Sequence, residues 1–242
     1  LFTRLMTPED YGVVAMFSLV LTFFIAFCGM GTNGAINVRF FQLDKDELSK
    51  YVFSCLVILI LSSGLLLLSL SIFGDLLSEV TLLPTKWLYY IVVVAFFQFV
   101  ITIRLSLWQA QQKALYYGCL QILTSLLNAS LSLFFLYFVA NSWESRAWGQ
   151  SVTLSIMFVI SLVLMVKGRE ISVWFRVDLI KDALKFGIPL MPHIVGGTVI
   201  AMADRAIIGN LVGEYGVGIY MVALQLSLSM GFFTDAFVKA YS

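Results

Sequence analysis

The chain has 242 residues, 60% of them hydrophobic and only 12% charged, with a formal net charge of +1. That composition excludes an ordinary soluble domain, and the sequence carries neither a nucleotide-binding glycine loop nor a basic surface suited to nucleic acid. Most of the charge lies in short connectors between apolar runs, each close to the ~20 residues that cross ~30 Å of hydrocarbon as a helix. Backbone groups in lipid must bond internally, so such runs are helices or strands of a closed barrel. These are continuous and rich in Leu, Phe and Val, where a barrel would show short alternating segments. The expected fold class is all-α, a polytopic transmembrane helix bundle.

About seven spans are expected. In chain order they are Val13–Thr32, Tyr51–Phe73, Trp87–Leu107, Tyr116–Val139, Trp148–Val166, Phe186–Ile208 and Val217–Val238. Their connectors alternate in basic content. One set holds Arg39, Lys45 and Lys50, then Arg104 and Lys113, then Lys167, Arg169, Arg176, Lys181 and Lys185, then Lys239. The other holds Arg4, Lys86, Arg146 and Arg205, one per connector. The excess of Lys and Arg marks the cytoplasmic side, so the first residue lies outside and the last inside. Trp87, Trp108, Trp143 and Trp148 stand at expected span ends, the depth an amphipathic ring prefers.

The connector 171–185 has two readings. Asp178, Lys181, Asp182 and Lys185 fall on one helical face and Leu179, Ile180, Ala183 and Leu184 on the other, which suits a short helix in the membrane surface. An ordinary charged linker is the alternative. Cys28, Cys55 and Cys119 lie in or at the ends of spans without metal or disulfide spacing, and read as small buried hydrophobes. The start at Leu1 and the stop just past a final span lead us to expect a piece of a longer protein.

Ionisable and polar groups inside the spans are the candidates for function, because they are costly there. Arg104 sits in an otherwise apolar helix near its cytoplasmic end; it faces a cavity, or it snorkels to the interface. Asp204 and Arg205, adjacent and therefore about 100° apart on a helix, face a cavity or pair with another helix. Asn128, with Gln121, Thr124 and Ser125, makes either interhelical hydrogen bonds or sugar contacts. Asp235 and Lys239 have the spacing of a helix salt bridge. Pro189 and Pro192 remove backbone donors, and Gly196 and Gly197 follow within about a turn, so this span is expected to be broken or hinged. His193, the one histidine, is then a pH-responsive group in a moving element or simply a polar residue near an interface.

A short repeat organises these elements. Asp10-Tyr11-Gly12-Val13 precedes the first span and Glu214-Tyr215-Gly216-Val217 precedes the last. Both follow a short outer connector, and both lead into outside-to-inside spans. Six spans per period in one orientation describe two parallel lobes related by an axis along the membrane normal, a transporter plan.

The string Leu5-Met6-Thr7-Pro8-Glu9-Asp10-Tyr11-Gly12 resembles the outer loop after the first helix of polysaccharide flippases, the Wzx-type O-antigen and oligosaccharide flippases of the MOP superfamily. Leu184-Lys185-Phe186-Gly187-Ile188-Pro189-Leu190 is similar to the start of that family's seventh helix. Ala203-Asp204-Arg205 and Gly216-Val217-Gly218-Ile219-Tyr220-Met221-Val222-Ala223 resemble the stretch leading into its eighth. The resemblance covers essentially the whole chain. It implies that residues 1–170 run from the end of helix one through helix six of the N-terminal lobe, that 171–185 form the cytoplasmic linker helix, and that 186–242 open the C-terminal lobe.

It further implies a non-enzymatic flippase of the bacterial cytoplasmic membrane, working by alternating access without a cofactor or metal. Its substrate would be an undecaprenyl-pyrophosphate-linked oligosaccharide, its other partners membrane lipids and polysaccharide assembly proteins, and not nucleic acid. Arg104, Arg205, Asp204, Arg39 and Asn128 are the expected substrate contacts, with Pro189, Pro192, His193, Gly196 and Gly197 as the hinge. Arg39 matches an arginine of the family after its second helix, and anchoring at the inner surface is the reading preferred for it. The alternatives are a multidrug or small-solute exporter of the same superfamily, which wants acids in its cavity, and a membrane glycosyltransferase or polymerase, against which the short outer connectors argue.

Single cysteines at Lys45 and Lys181 are expected to escape an impermeant thiol reagent in intact cells, and cysteines at Thr81 and Trp143 to be labelled. Labelling at the first pair would reverse the orientation.

Overall fold

A computed structural model describes residues 6–213, 215–224 and 226–227, and only the backbone of residues 194, 198, 201, 202, 205, 206 and 210. The described residues form helices α1 (Pro8–Gly29), α2 (Thr32–Arg39), α3 (Lys45–Thr81), α4 (Thr85–Ala110), α5 (Ala114–Phe138), α6 (Trp143–Lys167) and α7 (Val177–Val212). A last apolar helix, α8, spans Tyr215–Leu224. Of these, α1, α3, α4, α5 and α6 are long and apolar enough to cross a membrane. The sixth expected span lies inside α7, and the seventh is described only as far as α8.

Helix ends follow local chemistry. α1 starts earlier than the expected Val13, because the Thr7 side chain caps it by accepting from the Asp10 N–H at 3.2 Å and Pro8 suits the first turn. It stops before the expected Thr32, because Met30 (φ 46°) and Gly31 (φ 68°) are both left-handed and turn the chain into α2. α3 continues beyond Phe73 to Thr81, so its 37 residues extend about 55 Å, longer than hydrocarbon alone requires. Asp44 caps its start by accepting from the Glu47 N–H at 2.8 Å.

α4 and α1 lie at the centre and α5 at the edge, where Leu120, Ser132 and Leu136 are its buried residues. α3 presents Ile60, Leu61, Leu65, Leu68, Ile72 and Leu76 outward, a row spaced to face lipid. At one end of the bundle the aromatic rings of Trp87, Tyr90, Trp143 and Trp148 gather, Trp87 and Trp143 with centroids 4.9 Å apart. At the other end Gln111 reaches Glu170 at 2.9 Å, and the Ser172 N–H bonds the Ser49 carbonyl at 3.2 Å. The second end carries the basic connectors.

Two expectations about α7 are corrected. Residues 171–185 are not a separate helix: 170–176 have no regular secondary structure, and Val177 begins a helix that runs on through Phe186 without interruption. Nor is the span broken at Pro189 and Pro192, since both lie inside continuous α7. Only three residues apart, they withhold their donors within a single turn, and the turns on either side carry the helix through.

α7 is fixed to the body where Gly187 meets the Met30–Gly31 elbow. A Cβ on Gly187 would collide with the Met30 carbonyl, whereas Gly196 and Gly197 face open space. G187V should therefore destabilise the folded protein by about 1–3 kcal/mol, whereas G196A should be neutral or stabilising by up to about 1 kcal/mol. Thermal unfolding in detergent measures both, and equal effects would remove the close contact from the account.

Candidate functional site

Two polar cavities lie at opposite ends of the bundle. The first, of about 360 Å³, opens at the aromatic end between α1, α6 and α8, lined among others by Tyr11, Val14, Ser18, Arg146 and Met221. Tyr11 of the first repeated motif lines it, and Met221 follows the second motif by one turn. Asp10 lies in the first turn of α1 and its Oδ1 accepts from the Trp143 N–H at 3.1 Å, which couples the start of α1 to the start of α6. An acid at that position also suits the positive end of α6. Val217 and Met221 of α8 bury themselves against Ala15, with Tyr11 alongside, and a Cβ on Gly218 would strike the Pro8 carbonyl. The two Tyr-Gly-Val strings thus lie side by side at one end; Glu214 is outside the described residues.

Among the described residues, Arg146 is the cation of this cavity. Its position one turn into α6 points it at α5, where Nη1 donates to Asn128 Oδ1 at 2.9 Å and to Ser132 Oγ at 2.6 Å. Asn128 and Ser132 are one turn apart on α5, and α5 comes close because Gly149 leaves no side chain between α6 and the Ser132 backbone. Asn128 thus makes an interhelical contact, and it also orients an arginine toward a cavity.

The second cavity, of about 410 Å³, lies at the basic end and is lined by Leu43, Lys45, Leu107, Lys113, Arg169 and Glu170 among others. Arg104 lies there, 4% exposed, and it neither snorkels nor faces α7 or α8. Its guanidinium is ion-paired with Glu170 and lies 4.0 Å from the centre of the Trp108 ring. Glu170 is delivered by the end of α6, where Arg169 takes φ 53° and the Glu170 N–H returns to the Met165 carbonyl at 3.0 Å. α4 ends in the same way, with Gln112 at φ 56° and the Lys113 N–H bonded to Trp108 O at 2.9 Å.

The remaining expected residues are dispersed. Arg39 binds Asp182 through Nε (2.8 Å) and Nη2 (2.6 Å), and the Tyr51 hydroxyl donates to the same carboxylate at 3.1 Å. This clamp ties α2 and α3 to the first turns of α7, and the Asp182 hydrogen bond raises the Arg39 guanidinium above the ordinary arginine range. Asp204 is exposed and accepts from the Tyr220 hydroxyl at 2.9 Å, linking α7 to α8. The Arg205 side chain and the Asp235–Lys239 pair are outside the described residues. Pro189, Pro192, His193 and Gly197 are exposed on α7, with Gly196 half-buried. Arg146, Asp182 and Glu170 are the partners that the sequence reading did not select. For Arg146 a signal existed, the polar i, i+4 pair Asn128 and Ser132 on the neighbouring span; for Glu170 there was none.

Comparison with known proteins fits this architecture. The family described as "Polysaccharide biosynthesis protein" matches residues 1–234. The chain belongs to that family. A membrane protein of Haemophilus influenzae (strain ATCC 51907 / DSM 11121 / KW20 / Rd) is 25% identical over 244 residues, covering 98% of this chain and 57% of that protein. A protein of the same strain's Lsg locus is 24% identical, covering 98% and 58%. An inward-facing multidrug resistance MATE transporter of the MOP superfamily superposes with a TM-score of 0.72 at 16% identity, over 92% of this chain and 54% of that one. The chain is thus a multi-pass membrane protein with the MOP-type transporter fold, and it spans a little over half the length of the proteins it matches.

Breaking the buried Arg104–Glu170 pair from one side leaves an uncompensated charge. R104A or E170A should cost about 3–5 kcal/mol, and the double variant less than the sum of the two. Denaturant unfolding of the three variants measures the coupling; strict additivity would mean that the pair does not hold α4 to the end of α6.

Proposed function

We propose that the whole protein flips an undecaprenyl-pyrophosphate-linked oligosaccharide from the cytoplasmic to the outer leaflet of a bacterial cytoplasmic membrane. Family and fold support a membrane transporter of polysaccharide biosynthesis; the substrate is our reading of the site. In this reading α1–α6 are one lobe and α7 with α8 begin the second. The observation that carries it is the cavity between α1, α6 and α8, whose cationic lining group among the described residues is Arg146. Dragging a sugar–pyrophosphate head through hydrocarbon unaided carries a large desolvation cost. A polar cavity exposed to one side at a time replaces part of that lost hydration.

Arginine suits the task because its planar fork donates two parallel hydrogen bonds to phosphate oxygens. Asn128 and Ser132 hold the Arg146 Nη1 in place, so that the fork is oriented before the substrate arrives. Tyr11 and Ser18 add hydroxyls within the same cavity. Arg205 is the second cation we assign to the path, with Asp204 beside it. Arg104 and Arg39 act instead as structural clamps. An exporter of cations would place a carboxylate where Arg146 stands. No covalent step is required, and the chemistry is binding and release.

In the full-length protein, R146A and R205A should each lower glycan export roughly 10- to 100-fold, the loss of a charged hydrogen bond, at unchanged membrane abundance. R146K should recover only part of it, since the charge returns without the fork. Surface-glycan quantification in cells lacking the wild-type copy provides the readout. Normal export by both alanine variants, or efflux of a cationic dye by the wild type without glycan export, would defeat the assignment.

A further inference from the structure

The cavity at the basic end is separate from the proposed path and is itself equipped to bind an anion. Lys45, Lys113 and Arg169 line it together with Arg104, and among the described residues none of the first three makes an ion pair. Glu170, the one carboxylate on its wall among the described residues, is already neutralised by Arg104 and receives a hydrogen bond from Gln111 Nε2 at 2.9 Å. The formal charge of these five groups is therefore positive.

Helix dipoles account for only part of this arrangement. Lys113 and Arg169 stand at the negative C-terminal ends of α4 and α6, where cations are favoured. Lys45 is the first residue of α3, where the helix end is itself positive and a cation is disfavoured. The α3 start is already served by Asp44, Asp46 and Glu47, so an anion here would be met by the three side chains. The buried wall has unmet capacity too: Arg104, 4% exposed, has a buried Nε with no hydrogen-bond partner among the described residues.

The rest of the lining is apolar. Phe40, Leu43, Leu48 and Leu107 complete the wall. Phe41, next in the chain to Phe40, is 74% exposed, and Trp174 and Phe175, just beyond Glu170, are 61% and 65% exposed. Exposed aromatics at a span end mark the headgroup region of a bilayer, which puts the mouth of this cavity at headgroup depth. We propose that this cavity is a binding site for the phosphate-bearing headgroup of an anionic phospholipid of the basic-side leaflet. The lipid phosphate would lie among Lys45, Lys113 and Arg169, above the buried Arg104–Glu170 pair, with the glycerol and the first acyl carbons against the leucines.

Titration of full-length protein in micelles with phosphatidylglycerol or phosphatidylcholine, read by native mass spectrometry, tests the proposal. The wild type should bind phosphatidylglycerol in clear preference. K45Q/K113Q/R169Q leaves the Arg104–Glu170 pair intact and should lose affinity for it on the order of 100-fold, taking each cation as worth roughly fivefold. A control with the same loss of charge at the same end, K50Q/K181Q/K185Q, should lose far less. Equal losses in the two triple variants, or no preference in the wild type, would overturn the site. Millimolar inorganic phosphate should not displace the bound lipid; displacement would overturn the lipid assignment and leave a soluble phosphate as the ligand.

Discussion

Hydrocarbon gives a helix no reason to prefer a neighbouring helix over lipid, so this bundle depends on the places where backbones come into contact or polar groups bond across helices. Gly187 against Met30 and Gly31 seats α7 on the α1–α2 elbow, Gly218 against Pro8 seats α8 on α1, and Gly149 against Ser132 joins α5 to α6. Close to each contact lies a polar bond. Arg39 with Asp182 secures α7, Asp10 with the Trp143 N–H ties α1 to α6, and Arg146 with Asn128 and Ser132 spans α5 and α6. Glycine gives the approach, and the polar bond gives the orientation.

The same economy places function. A charged group inside a span has to be matched by a partner or by a wet cavity. Arg39 and Arg104 are matched by carboxylates and hold the scaffold. Arg146 is held by Asn128 and Ser132 at the edge of a cavity. The carboxylate partners mark the clamps, and the cavity between α1, α6 and α8 marks the cation we assign to the substrate.

Much of the fold was legible in the sequence because lipid forces a crude signal: long apolar runs must be helices, and Lys and Arg mark one end. The start of α1 was expected too late, at Val13, because the apolar run and not the Thr7 cap set that expectation. What else was not legible depended on distant pairing. The glutamate that holds Arg104 lies beyond the end of α6, and its direction is set by a left-handed Arg169, a conformation no residue type announces. Two prolines read as a break, yet α7 runs through both, with its contact to the body made a few residues earlier at Gly187. Asn128 was visible as a polar residue in mid-span, but the arginine it serves was counted among the basic residues of an outer connector.

The account's central claim is that the α1–α6–α8 cavity receives the pyrophosphate head. Single cysteines at Ser18 and Met221 in the full-length protein, modified by a small thiol reagent with and without undecaprenyl pyrophosphate, test it most directly. Protection of both by the carrier lipid, with a cysteine at Ser49 in the other cavity unprotected, is the predicted result. Modification of Ser18 and Met221 sites at the same rate with and without the lipid would contradict it.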